Sequence, residues 1–195
     1  MEQKFSPQQS LQLIQSMIEK TKDNISENRF YFLLWGWITF IAVLLQFILK
    51  VISDYRHHYL VWLSVIPAFI ITIIKSNKEK NRTYRTYVGE SMGYLWMGIG
   101  ISFFVLSVII STSIGWLKAW PFFILFYGLC TFISGKFIQF KPLVIGGIFC
   151  WLLAAITVFV PYDYQLLLAA LAILCSYIIP GYLIKSEKQN NYGTK

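Results

Sequence analysis

The sequence predicts an all-α fold: a polytopic transmembrane bundle of six spans, arranged as three antiparallel hairpins behind an N-terminal amphipathic cytoplasmic helix. Three observations predict it. The 195 residues are 56% hydrophobic and only 13% charged, with a mean hydropathy of +0.57, too few charges to coat a water-soluble globule. Six apolar runs follow one another, and about six spans with short loops fill a chain of this length. Finally, the cations alternate in density between the runs, with one concentrated block, Lys75 to Arg85, holding five cations against a single acid, Glu79. A block of that kind resists translocation and marks a cytoplasmic loop.

Residues 1–29 are polar and periodic. Ser6 stands where a helix N-cap belongs, with Pro7 at the first helical position and Gln9 at the capping-box position. Leu11, Ile14, Ile18 and Ile25 then recur at spacings of three, four and seven, giving one apolar stripe among Gln, Lys and Glu. Such a helix is too polar to span. With Lys20, Lys22 and Arg29 it suits an anionic leaflet, and its heptad register suits a partner helix equally.

The first span is expected over residues 30–49, twenty residues without a charge between Arg29 and Lys50. A polar turn, Ser53 to His58, leads to a shorter second span over 59–74, which Lys75 extends by snorkelling. Pro67 falls inside that span and should bend it. The third span is expected over 94–110, broken by Ser111 to Gly115, and the fourth over 119–133. Residues 142–160 and 164–184 form the last pair, joined through Pro161, Tyr162 and Asp163. A polar cytoplasmic tail, 185–195, closes the chain. The domain organisation is therefore a cytoplasmic helix (1–29), a six-helix membrane domain (30–184) and the tail.

Orientation follows from the Lys and Arg distribution. Fourteen of the seventeen lie in the N-terminal arm, the Lys75 loop, the Gly135 to Lys141 loop and the tail, and three in the alternate segments. That split implies a cell inner membrane location with both termini cytoplasmic. The net charge of +8 does not point to nucleic acid, because the cations lie between apolar spans and meet anionic lipid head groups.

Few residues carry chemistry. Cys130, Cys150 and Cys175 lie in apolar runs and read as buried free thiols. Asp54, His57 and His58 share a polar turn without the accompanying carboxylates that a metal site shows, so no cofactor or metal is expected. Glu90, four residues before Tyr94, is the one acid close to a span on the cytoplasmic side and is the candidate functional acid. Gly89, Gly93, Gly98 and Gly100, with Gly146, Gly147, Ala169, Ala170 and Ala172, are small residues that let helix backbones approach, and the first set could form a homo-oligomer face. Leu33-x-x-Gly36, Leu95-x-x-Gly98 and Leu143-x-x-Gly146 are a weak internal repeat. Phe103, Phe104, Trp120, Phe122, Phe123, Phe126 and Tyr127 fit either an aromatic pocket or ordinary packing. Walker, dinucleotide, HExxH and GxSxG motifs are absent from the sequence.

The segments Leu34-Trp35-Gly36-Trp37, Tyr127-Gly128, Thr131-Phe132, Ser134-Gly135, Phe140-Lys141-Pro142-Leu143, Gly146-Gly147 and the ending Tyr177 to Leu183 give the chain its resemblance to a family of small six-span bacterial integral membrane proteins. The resemblance covers most of the chain and implies the six-span layout. It implies no activity, ligand or catalytic residue. On the residues alone the expected function is a non-enzymatic regulatory, scaffolding or interaction subunit. Its contacts with lipid head groups or a protein partner would run through Lys75, Lys78, Lys80, Arg82 and Arg85, and through Leu11, Ile14 and Ile18 of the N-terminal helix. A transporter or channel for a hydrophobic or neutral solute is the alternative.

Overall fold

The computed structural model describes residues 29–80 and 87–184, all of them helix or connecting turn. The N-terminal amphipathic segment, with Leu11, Ile14 and Ile18, lies outside the described residues, as do Arg82, Arg85 and the tail. There are six helices here. Helix α1 is Arg29–Ile52, its last turn π-helical over Ile48–Ile52. Helix α2 opens as a 3-10 helix, His58–Ser64, and continues as an α-helix over Val65–Lys80. Helix α3 is Tyr87–Ile109 with a π-helical end, Ile110–Ile114. After a short 3-10 turn, Trp116–Lys118, come α4 (Trp120–Phe137) and α5 (Lys141–Thr157). Helix α6 runs from Tyr162 to Leu183 through a π-helical stretch, Leu174–Ile178. Five of the six are long and apolar enough to cross a membrane; α5, at 17 residues, is shorter, about 25 Å.

The breaks have local causes. Gly115 ends α3 with φ +85°, a conformation a side chain disfavours. Pro121 and Pro142 sit in the first turns of α4 and α5, where a missing N–H costs nothing, and Pro161 stands as the N-cap of α6. Pro67 behaves the same way. Where a bend was expected the helix changes type: the residues before Pro67 form the 3-10 segment, and Pro67 falls in the first turn of the α-helical part. In α6 Pro180 has no N–H to give, and its ring crowds the carbonyl one turn back at Ser176. The wide π turn sits immediately before it, with the Ile179 N–H returning to the Leu174 carbonyl.

Neighbouring helices run antiparallel in fixed register. Across α1 and α6, Leu33 meets Gly181, Gly36 meets Tyr177, and Lys50 meets Asp163, one number rising as the other falls. Across α1 and α2 the same holds for Phe30 with Lys75, Trp35 with Thr72, and Gln46 with Trp62. Phe103 of α3 packs on Phe123, Phe126 and Tyr127 of α4 at ring separations of 5.7, 5.8 and 5.5 Å. The aromatic run thus fills the α3–α4 contact, with Phe104 turned outward.

The tightest packing lies between α4, α5 and α6. A Cβ on Gly147 would stand 2.7 Å from the Phe132 backbone N and 2.8 Å from the Gly128 carbonyl oxygen, and one on Gly146 would stand 2.8 Å from the Cys175 carbonyl oxygen. These glycines let backbone lie on backbone. Gly93, Gly98 and Gly100 of α3 differ: no atom lies within 4 Å of where their Cβ would be. The expected use of Gly93, Gly98 and Gly100 in packing within the chain is therefore corrected. Within the repeat of Leu-x-x-Gly segments, Gly36 and Gly146 are contact points whereas Gly98 faces open space.

Burial is uneven. Of the most apolar stretch of α6, 56% is buried inside the bundle, against 11% for α3 and 6% for α2. Large apolar side chains stand outward on these two helices, among them Ile66, Phe69, Ile70 and Ile74 of α2, and Met97, Ile101, Phe104 and Val105 of α3. An apolar helix surface of this kind is at home against acyl chains.

Candidate functional site

At one end of the bundle, the end of the 53–58 turn, three helices are joined by polar side chains inside otherwise apolar surroundings. Gln46, one turn before the end of α1, is 4% exposed. Its Oε1 accepts a hydrogen bond from the Trp62 indole N–H of α2 at 2.8 Å, and its Nε2 lies 3.3 Å from Nδ1 of His58. Trp62 leans in turn on Trp120 at the start of α4, with ring centres 6.0 Å apart. One turn on from Gln46, Lys50 donates to Oδ1 of Asp163 at 2.5 Å, and its Nζ stands 3.8 Å above the centre of the Tyr162 ring. Both contacts tie the end of α1 to the start of α6. In the same first turn of α6, Gln165 donates from Nε2 to the Val160 carbonyl at 2.8 Å, while its buried Oε1 accepts no hydrogen bond among the described residues.

The backbone explains this convergence. Asp54 takes φ +48°, a left-handed conformation that Asp tolerates, and the His58 N–H returns to the Tyr55 carbonyl. The chain reverses within a few residues and the 3-10 segment that follows swings Trp62 back beside Gln46. Pro161 caps α6 in extended conformation, which sets Tyr162 and Asp163 at the helix start facing Lys50.

The opposite end holds part of the basic loop. Lys75 is half-buried, with Nζ 3.4 Å from the centre of the Phe30 ring and 5.4 Å from that of Tyr31, so this cation bridges α2 to α1. Lys78 is exposed on the last turns of α2, and Lys80 is the last residue of that helix. Glu90 lies in the first turn of α3. In the interior Trp35 donates to Thr72 at 3.1 Å, while the Thr39 and Thr131 hydroxyls donate within their own helices, to the Trp35 and Tyr127 carbonyls. Cys130 and Cys150 are buried free thiols as expected, and Cys175 is half-buried. Asp54, His57 and His58 do not converge on a common point with a further ligand; among the described residues no three His, Cys, Asp or Glu side chains gather.

Sequence reasoning missed Gln46, Lys50, Trp62 and Asp163 as a set. The available signal was uncharged: a Gln in a run of Leu, Ile and Phe, and a Gln in the corresponding turn of the last helix. Buried amides in such surroundings need partners, so they mark helix contacts. No protein-family model, curated protein or solved structure matches the chain.

Proposed function

We propose that the chain is a multi-pass inner-membrane protein without a catalytic centre, acting as a regulatory, scaffolding or interaction subunit through its cytoplasmic N-terminal helix and basic loop. The observation that carries the reading is how the interior is used. Helices α4, α5 and α6 meet backbone to backbone at Gly128, Gly146 and Gly147, and around them Trp35 with Thr72, Trp62 with Gln46 and Lys50 with Asp163 are spent on one another between helices. An interior occupied in this way supports action at the surface and the ends rather than passage of a solute through the bundle. Lys78 is exposed beside the loop, and the remaining loop cations and the apolar stripe of Leu11, Ile14 and Ile18 supply the chemistry for anionic head groups or a partner helix.

The deciding experiment is crosslinking and co-purification from intact membranes of the full chain and of a chain lacking residues 1–25. The shortened chain is expected to insert and fold as before while losing the proteins or anionic lipids recovered with the full chain. Recovery of the same set by both chains would overturn the proposal.

A further inference from the structure

The bonds around Gln46 decide a protonation state. An indole N–H can only donate, so the amide atom it meets at 2.8 Å is the carbonyl oxygen whichever way the amide is drawn. The other end of the amide is then the NH2 group, a donor only, and the His58 Nδ1 facing it at 3.3 Å must accept. His58 is therefore neutral in this arrangement, with its proton on Nε2.

We propose that Gln46, His58 and Trp62 form a proton-operated latch between the 53–58 turn and α1, closed while His58 is neutral and opened when Nδ1 takes a proton from solution. A proton on Nδ1 sets two donors face to face. Rotating the Gln46 amide by a half turn answers His58 but sets the NH2 group against the Trp62 N–H. Either arrangement leaves a donor beside the buried Gln46 unpaired, so the proton and the closed latch exclude one another.

The charged neighbours are few. Lys50 of α1 opposes a second positive charge at His58, and Asp163 of α6, paired with Lys50, favours one; Tyr162 of α6 lies beneath Lys50. On the same turn Asp54, Arg56 and His57 are exposed, and the Tyr59 ring stands edge-on 6.1 Å from that of His58. Trp120, behind Trp62, carries no charge. Partial burial and then the Lys50 charge press His58 below the ordinary imidazole range, with Asp163 pulling the other way. The sign follows: the latch is complete near neutral pH and above, and is lost as pH falls through the His58 midpoint.

The test is nitrogen NMR of the full chain, labelled with 15N-histidine and 15N-tryptophan, in lipid nanodiscs across a pH series, with the Trp62 indole signal assigned by its loss in Trp62→Phe. Wild type is expected to show His58 as the Nε2–H tautomer, with its midpoint below the ordinary imidazole range and the Trp62 indole moving at that midpoint. In Gln46→Glu the carboxylate accepts from both Trp62 and a protonated His58, so His58 is expected to hold its proton more tightly than in wild type, with the indole unmoved over the same range. A wild-type Nδ1–H tautomer, an indole indifferent to His58, or an unchanged His58 midpoint in Gln46→Glu would each overturn the latch. The tautomer is read on wild type and does not depend on any variant folding.

Discussion

Gly147 shows how much a single hydrogen atom in place of a methyl decides in this fold. With the Phe132 nitrogen and the Gly128 oxygen both under 3 Å from a Cβ, Gly147→Ala must push α4 and α5 apart along backbone that has no rotamer to yield. Overpacking of this kind costs about 1–3 kcal/mol, and a thermal melt of the purified protein in detergent should record a clear fall in Tm. Gly98→Ala is the contrasting case, because its Cβ points into open space and alanine is the better helix former by up to about 1 kcal/mol. Its Tm should hold or rise. Equal losses for the two variants would mean that the α4–α5 contact is not the tight one. The same scale governs Lys50 and Asp163, whose side chains are 26% and 46% exposed. Lys50→Met should therefore cost no more than about 1 kcal/mol, measured by the same melt, since exposure screens the pair.

Among elements, α2 is the least embedded, and its attachment is correspondingly polar. It reaches α1 through Lys75 on Phe30, Thr72 with Trp35, and Trp62 with Gln46. A double-mutant cycle on Trp35→Phe and Thr72→Val should give a coupling of about 0.6 kcal/mol, typical of hydrogen bonds between membrane helices. Strict additivity would remove that bond from the account. The positions of the helices were legible in the apolar runs, because runs lacking charge between charged ends translate directly into helices of membrane length. Their ends were less so. Helix α2 continues past the apolar run to Lys80 and α4 continues to Phe137, since helices extend beyond the apolar boundary wherever polar residues can reach solvent. The change of helix type at Pro67 was not legible, because a proline's effect depends on where the α-helical hydrogen bonding begins, and that start was set by the 3-10 segment before it. The small residues were half legible: composition identifies them, but only the register of neighbouring helices separates Gly147, which is pressed, from Gly98, which is not.

For the whole molecule, alternation of the helices places the 53–58 turn at one end and Lys75, Lys136 and Lys141 at the other. In the proposed orientation, cationic end to the cytoplasm, a cysteine at Arg56 in an otherwise cysteine-free chain should react with a membrane-impermeant thiol reagent added to intact cells, and one at Lys78 only after the membrane is opened. The reverse pattern would invert the orientation. The candidate contact residues were only partly testable from the fold, because Lys75 is engaged by aromatic rings of its own chain while Leu11, Ile14, Ile18, Arg82 and Arg85 lie outside the described residues. What the linear order could not convey is that polar side chains far apart in sequence, Lys50 with Asp163 and Trp37 with Tyr182, meet across α1 and α6 to bring the first and last helices side by side.

The thin hold on α2 carries a consequence for handling the protein. Among acyl chains nothing competes for the Thr72 hydroxyl or for the face of Phe30, so a few small attachments suffice to keep a mostly bare rod against its neighbour. An extracting amphiphile rich in hydroxyl or amide groups brings that competition into the hydrocarbon. Solubilisation with such a reagent should loosen this one helix while the α4–α5–α6 trio, clasped main chain to main chain, stays whole.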